Sequence, residues 1–195
     1  MNPWRRRHLA VSLSWLFCPS LTRAQDWNLD ALMTQLASVK SARARFVEKR
    51  YFALLKRPVE SMGVLHYQAP DRLEKVITKP RAERMLLEGD RLTLEADGGR
   101  RRKSLALSEM PELAALIGGL RATLAGETAT LSRHFDIAFE GPAQRWQLTL
   151  SPKDRKIARL VKTLRIFGNA ADLNAVEVIQ GDGDRSMMMM VKDAG

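Results

Sequence analysis

The chain has 195 residues, of which 45% are hydrophobic and 28% are charged, values that exclude a mainly disordered protein. One cysteine excludes a disulfide within the chain and a cysteine-based zinc cluster. The formal net charge of +10 favours anionic partners over cationic ones.

The first residues have the pattern of a secretory signal peptide. Basic residues Arg5–His8 precede a short apolar run, residues 9–18, and small residues in Thr22–Ala24 suit a signal peptidase. The run is too short to span a bilayer, which requires about 20 residues. We therefore expect cleavage after about Ala24; the alternatives are an uncleaved anchor or a buried helix.

Cleavage would leave residues 25–195 as a single exported domain in the periplasm. It would remove four arginines, lowering the net charge from +10 to +6, and it would remove Cys18 as well. The mature protein would then have no thiol, which suits an oxidising compartment.

The mature chain begins with a predicted helix over Asp26–Lys40, whose apolar residues recur at helical spacing. Asp26 or Asn28 is expected to cap it. Alternating residues then predict strands, with turns at residues 88–90 and 97–99. These strands are residues 42–55, 62–68, 72–80 and two within 82–99.

A second helix is predicted where Leu113, Leu116, Ile117, Leu120 and Leu124 form a stripe. The glycine pair inside it costs helical stability and indicates close packing or a mobile joint. The stripe fits either ordinary core or a movable lid.

Short strands return in the last third of the chain. They are predicted over residues 134–140, 145–150, 160–167 and 173–180, and a turn at 181–184 leads into a strand with four successive methionines, Met187–Met190. Strands in near-neighbour order predict one curled antiparallel sheet, with two helices to cover it.

Enzyme signatures are sparse. No nucleophile elbow, phosphate-binding loop or paired-histidine metal motif is present. His66 and His134 lack an evident catalytic constellation. Asp182 and Asp184 lack the other ligands of a calcium loop, so a hairpin turn is expected there. We therefore expect neither an enzyme nor a metal or cofactor site.

A run of four cations, Arg100, Arg101, Arg102 and Lys103, is the strongest local concentration of charge. It fits a solvated loop, or a surface that transiently contacts an anionic membrane or an acidic partner. Nucleic acid is not expected, because no aromatic residues interleave with the run to stack on bases.

Several segments, in this order and spacing, resemble the periplasmic outer membrane lipoprotein carrier (LolA) family. The resemblance spans about residues 26–191. The segments are Ser41–Lys49, Ser61–Pro70, Met85–Leu94, Trp146–Pro152 and Leu173–Met190.

The resemblance implies a mainly β (α+β) fold. Its strands would form a single incomplete, unclosed antiparallel β-barrel, and helices would cover this barrel as a lid. The resemblance also implies a monomeric, non-enzymatic carrier that acts as a chaperone in outer membrane biogenesis. Such a carrier would bind the acyl chains of lipoproteins, or a related lipid or glycolipid. The expected partners are an inner-membrane donor complex and an outer-membrane acceptor. The alternatives are an envelope lipid sensor that binds a protein partner, and a lipid hydrolase or acyltransferase.

Two positions depart from the family pattern. Ala69 stands where an arginine that helps to latch the lid usually precedes the proline, and Lys75 lies near the usual place of a tryptophan. These departures indicate a divergent branch, with different lid control and another lipid as cargo.

Alternation along the strands, combined with the resemblance, selects candidate cavity residues. Either Met187 with Met189 or Met188 with Met190 would face the cavity and supply a soft apolar wall, although both pairs could fill ordinary core. The candidates are Phe46, Leu65, Tyr67, Leu86, Leu116, Leu120, Phe135, Ile137, Trp146, Leu148, Met187 and Met189.

Overall fold

A computed structural model describes residues 27–193, so the predicted signal peptide lies outside the described residues. The predicted fold class is confirmed: eleven antiparallel strands form one sheet that does not close into a barrel. The strands are β1 (Ser41–Tyr51), β2 (Val59–Gln68), β3 (Arg72–Lys79), β4 (Glu83–Glu88), β5 (Arg91–Ala96), β6 (Arg101–Ala106), β7 (Phe135–Glu140), β8 (Trp146–Pro152), β9 (Val161–Asn169), β10 (Asp172–Gln180) and β11 (Arg185–Lys192).

The order of strands across the sheet is simple. Neighbours in sequence pair with each other, except that β1 pairs with β11 and so joins the two halves. β6 and β7 form the two open edges, and the chain crosses between them through helices. The helices are α1 (Leu29–Ser38), α2 (Pro111–Leu124), α3 (Thr128–His134) and α4 (Arg155–Leu160).

The first helix begins and packs as its sequence predicts. The Asn28 side chain accepts a hydrogen bond from the Ala31 N–H at 2.9 Å, which satisfies one of the free donors at the helix start. Leu32, Met33 and Leu36 are buried on its inner face. The apolar stripe therefore anchors α1 to the sheet.

The helices cover the concave face of the sheet and create two apolar clusters. The larger one lies under α1 and α2 and includes Leu32, Leu36, Trp146, Leu148, Leu150, Leu164 and Ile166. The smaller one joins α2 to strands β4 and β5 and is built on Leu87, Leu92 and Leu107. Between the clusters, the central strands are less completely covered.

Three elements differ from the predictions. Most of the basic run forms the edge strand β6, because its backbone pairs with β5 regardless of the charged side chains. The helices α3 and α4 have only seven and six residues, too few to show a helical stripe.

The helix α4 has a cap at its start, since the Asp154 carboxylate accepts hydrogen bonds from the N–H groups of Lys156 and Ile157. These backbone hydrogen bonds hold the pKa of Asp154 below its usual value.

Across residues 27–193, no helix combines the length and the apolar character that a membrane span requires.

Candidate functional site

An apolar cavity of about 280 Å³ lies between the concave face of the central strands and the helices α1 and α2. Aliphatic side chains dominate its wall, which suits a ligand that is itself apolar. The apolar lining consists of Leu36, Val39, Ala42, Ala44, Leu65, Tyr67, Leu73, Met85, Leu87, Ile117, Leu120, Leu124, Ala171, Leu173, Val176, Met188 and Met190.

Strand register determines which side chains reach this cavity. Ala44 of β1 lies opposite Leu65 of β2, and both line the cavity. Phe46 is the next residue on that face of β1, and it lies opposite Met190 of β11. Since side chains alternate across a strand, Met188 shares the face of Met190.

The helix α2 closes the cavity by packing tightly on the sheet. A methyl group added at Gly119 would lie 3.2 Å from the Phe135 ring and 3.3 Å from Leu164, so the missing side chain permits the close approach. A methyl group added at Gly118 would meet nothing within 4 Å. Of the two predicted roles for the glycine pair, close packing therefore accounts for Gly119.

A tether joins α2 to the far side of the cavity. The Arg121 guanidinium donates to the Gly89 carbonyl at 3.0 Å, in the turn between β4 and β5, and lies 3.7 Å from the Asp90 carboxylate. Burial raises the pKa of the Tyr67 phenol in the cavity wall, and the positive charge of Arg121 partly opposes that rise. Tyr67 is thus neutral at neutral pH and presents an apolar ring.

A largely buried ion pair interrupts the apolar concave face. The Lys75 ammonium lies 2.6 Å from the Glu48 carboxylate, and the Ser61 hydroxyl donates to the same carboxylate at 3.3 Å. The ammonium also lies 5.0 Å from the centre of the Phe46 ring. The side chains of Glu48 and Lys75 are only 12% and 19% exposed, so solvent screens the pair weakly.

A wider polar groove of about 820 Å³ lies beside the cavity, at the start of β1 and the end of β11. Ser41, Arg43, Tyr67 and Lys192 line both spaces. We call this groove the mouth. A ligand with an apolar chain and a polar head would therefore find matching surroundings in the cavity and in the adjoining mouth.

The structure places the predicted cavity residues in four different environments. Leu65, Tyr67 and Leu120 line the cavity. Phe46 is buried on the same face of β1, under the Lys75 ammonium. Five others belong to, or pack against, the core under α1 and α2: Leu116, Phe135, Ile137, Trp146 and Leu148.

The remaining three predicted residues lie on the opposite, convex face. Leu86 lies opposite Glu74 and Thr93, while its neighbours Met85 and Leu87 line the cavity. Of the two methionine pairs that the sequence left open, Met188 and Met190 line the cavity, whereas Met187 and Met189, the pair named among the candidates, lie on the other face. The physical reason is the same in each case: alternation defines two faces but does not say which one the helices cover.

Sequence reasoning missed several lining residues on β3 and β10, including Leu73 and Val176. Their strands were recognised, but no local signal distinguishes a cavity residue from a core residue. Of the two departures from the family pattern, Ala69 lines the mouth and Lys75 lines the cavity.

The titratable residues considered for catalysis are not brought together. His66 lines the mouth on β2, and His134 is exposed at the end of α3. Neither imidazole has a hydrogen-bond partner within residues 27–193. The same part of the chain contains no group of three or more His, Cys, Asp or Glu residues arranged to hold a metal ion.

The comparisons with known proteins agree with this architecture. A profile described as "outer membrane lipoprotein carrier protein LolA-like" matches residues 22–194. This chain belongs to the LolA-like family. The family's description likens its members to the outer membrane lipoprotein carrier protein LolA.

Solved structures similar to this LolA-like chain are distant in sequence. A LolA superfamily protein from Nitrosomonas europaea has 11% identity, a TM-score of 0.46, and an alignment covering 84% of this chain and 89% of its own. A DUF1329 family protein from Desulfovibrio piger has 9% identity and a TM-score of 0.47, with 86% and 91% covered. No curated protein sequence matches this chain.

Proposed function

We propose that this protein is a periplasmic carrier that binds an acyl chain of a lipoprotein, or of a related lipid or glycolipid, in the concave cavity. It delivers that cargo towards the outer membrane without covalent chemistry, acting as a monomer between an inner-membrane donor and an outer-membrane acceptor. Export through a signal peptide cleaved after about Ala24 would bring it to the periplasm. The supporting observation is the aliphatic cavity with a polar groove, the mouth, beside it.

The energetics of apolar burial suit this role. Each buried methylene contributes about 0.8 kcal/mol, so a chain of about 14 to 16 carbons favours binding by about 10 kcal/mol before ordering costs. Methionine side chains adapt to varied apolar shapes, and Met188 and Met190 supply such a surface. A carrier needs an adaptable wall because it must bind its cargo and then release it.

The proposal includes a lid, α2, that moves. A volume of about 280 Å³ lies just below the range of typical ligand sites, about 300 to 1,000 Å³. A whole acyl chain would therefore displace α2 from the sheet. The Arg121 tether and the close packing at Gly119 oppose that displacement.

The four methionines provide a test with a matched control. Replacing Met188 and Met190 together by glutamine should weaken binding of a fluorescent fatty acid or a diacylated lipopeptide by about tenfold or more, since two apolar contacts are lost. The same double replacement at Met187 and Met189, on the convex face, should leave the dissociation constant unchanged. Equal effects of the two variants, or no binding by the natural protein, would contradict the proposal.

The tether gives a kinetic prediction. Replacing Arg121 by methionine removes the bond to the Gly89 carbonyl while keeping an unbranched apolar stem, so α2 should open more often. We expect several-fold faster association and dissociation of the fluorescent lipid by stopped flow, with a smaller change in affinity. Arg133→Met, at an exposed position of α3, serves as the control. Unchanged rates in the Arg121 variant would show that the tether does not restrain the lid.

A further inference from the structure

The loop between β1 and β2, residues 52–58, carries a surface that the cavity does not explain. Leu54 at its tip is 97% exposed and Leu55 is 53% exposed. Lys56 and Arg57 follow directly and are also exposed. We call residues 52–58 the apolar loop. Single apolar residues scattered over a surface are ordinary. Here two adjacent exposed leucines lie beside two cations, and together they form an amphipathic tip.

The loop is held in place by its neighbours. The Ala53 N–H donates to the Asp184 carboxylate at 2.9 Å, which fastens the loop to the turn between β10 and β11. The Leu55 N–H donates to the Phe52 carbonyl at 2.9 Å and closes a turn within the loop. Since these bonds define the shape of the loop, the leucines are presented in a fixed direction.

Aromatic rings and cations surround the base of the loop. The Arg50 guanidinium lies 5.2 Å from the centre of the Phe52 ring, and Arg185 lies 4.6 Å from that of Tyr51. Aromatic rings of this kind are favoured at the boundary between lipid and water. Exposed leucines, cations and aromatic rings thus lie together in and beside one loop, and a bilayer surface favours these residue types.

The local charge favours an anionic surface. Within residues 27–193, neither Lys56 nor Arg57 takes part in an ion pair. The nearby acidic turn is partly occupied by its own bonds: Asp184 accepts from Ala53, and Asp182 accepts from the Asp184 N–H. The cations are thus available for lipid phosphates, which attract basic residues near a membrane.

We propose that the apolar loop docks this protein on an anionic phospholipid bilayer by inserting Leu54 and Leu55 between the headgroups. A protruding tip fits a fluid lipid surface, whereas stable protein partners bury broader areas. Apolar insertion and charge attraction together provide two signals, the number that stable membrane anchoring takes.

The position of the loop gives this docking a direction. β1 runs from the mouth, at Ser41, to the apolar loop, after Tyr51, a span of about 33 Å along the strand for the 11 residues. A protein docked by the loop therefore keeps its mouth turned away from the bilayer that it touches. This arrangement leaves the mouth accessible to a partner or to cargo while the carrier stays on the surface.

Vesicle flotation tests the proposal with the full-length protein. The natural protein should float with vesicles of phosphatidylglycerol and phosphatidylethanolamine, less with phosphatidylcholine, and less again at high salt. Leu54→Ser with Leu55→Ser should lower vesicle affinity by about tenfold or more, because apolar insertion is lost. Lys56→Gln with Arg57→Gln should remove the preference for anionic lipid, with unfolding curves checking that each variant folds.

Two control variants separate this surface from others. Leu160→Ser, at another exposed leucine, and the cavity variant with glutamine at 188 and 190 should float normally. A cavity that binds no lipid, combined with flotation that depends on Leu54 and Leu55, would reject the carrier function but retain the docking loop. Absence of flotation, or flotation that depends on residues 101–103 and not on Leu54 and Leu55, would overturn the proposal.

Discussion

Replacing Trp146 by alanine should lower the free energy of unfolding by about 3 to 5 kcal/mol, the usual range for removing a large buried aromatic side chain. Trp146 is 1% exposed and belongs to the larger core cluster. A methyl group added at Gly168 would lie 2.2 Å from the tryptophan ring, so the ring packs directly on that glycine's backbone. The indole N–H donates to the Ala170 carbonyl at 2.9 Å and so stabilises the turn between β9 and β10.

Urea denaturation of the alanine variant and of Trp146→Phe separates the two contributions. Phenylalanine keeps most of the apolar contact but loses the hydrogen bond, so we expect a smaller cost, about 1 to 2 kcal/mol. If alanine costs less than about 1 kcal/mol, Trp146 does not support the core as described.

Breaking the Glu48–Lys75 pair should also have a large effect. Glu48→Met leaves the Lys75 ammonium without its carboxylate in a largely apolar wall. Breaking a fully buried pair costs about 3 to 5 kcal/mol, and the partial exposure of both side chains lowers our expectation to about 2 to 3 kcal/mol. The double variant with methionine at both positions should recover most of that loss, because it removes the second charge too.

A double-mutant cycle measured by thermal and urea unfolding decides this point. The expected result is a strong favourable coupling between positions 48 and 75. As a control, Lys49 and Glu60 form an exposed pair at 3.2 Å, for which the same cycle should give about 0 to 1 kcal/mol. If the coupling energy between positions 48 and 75 is no larger than that of the control pair, solvent screens the Glu48–Lys75 pair.

Most of the architecture was predictable because it is local. Alternating residues identified ten of the eleven strands, and the stripes identified α1 and α2. β6 was missed because its cations, Arg101–Lys103, suggest solvent, whereas an edge strand tolerates such side chains. Two of these cations are paired: Arg101 with Asp97 at 2.6 Å and Arg102 with Glu95 at 3.4 Å.

The candidate site was less predictable because it depends on the curvature of the sheet and the position of the lid. Leu65 and Tyr67 were selected by alternation within the family resemblance, and they line the cavity. Trp146 and Leu148 follow the same pattern, yet α1 and α2 bury them in the core. Only the pairing of β11 with β1 determines that Met190, opposite Phe46, faces inwards.

The most direct test of the carrier function is native mass spectrometry of the protein purified from its own periplasm, followed by lipid extraction. We expect a stoichiometric adduct, identified as an acylated lipid or lipoprotein, that is reduced when glutamine replaces Met188 and Met190. A protein that is empty when purified, and that also binds no added lipid or lipopeptide, would contradict the carrier function and make the apolar cavity ordinary core.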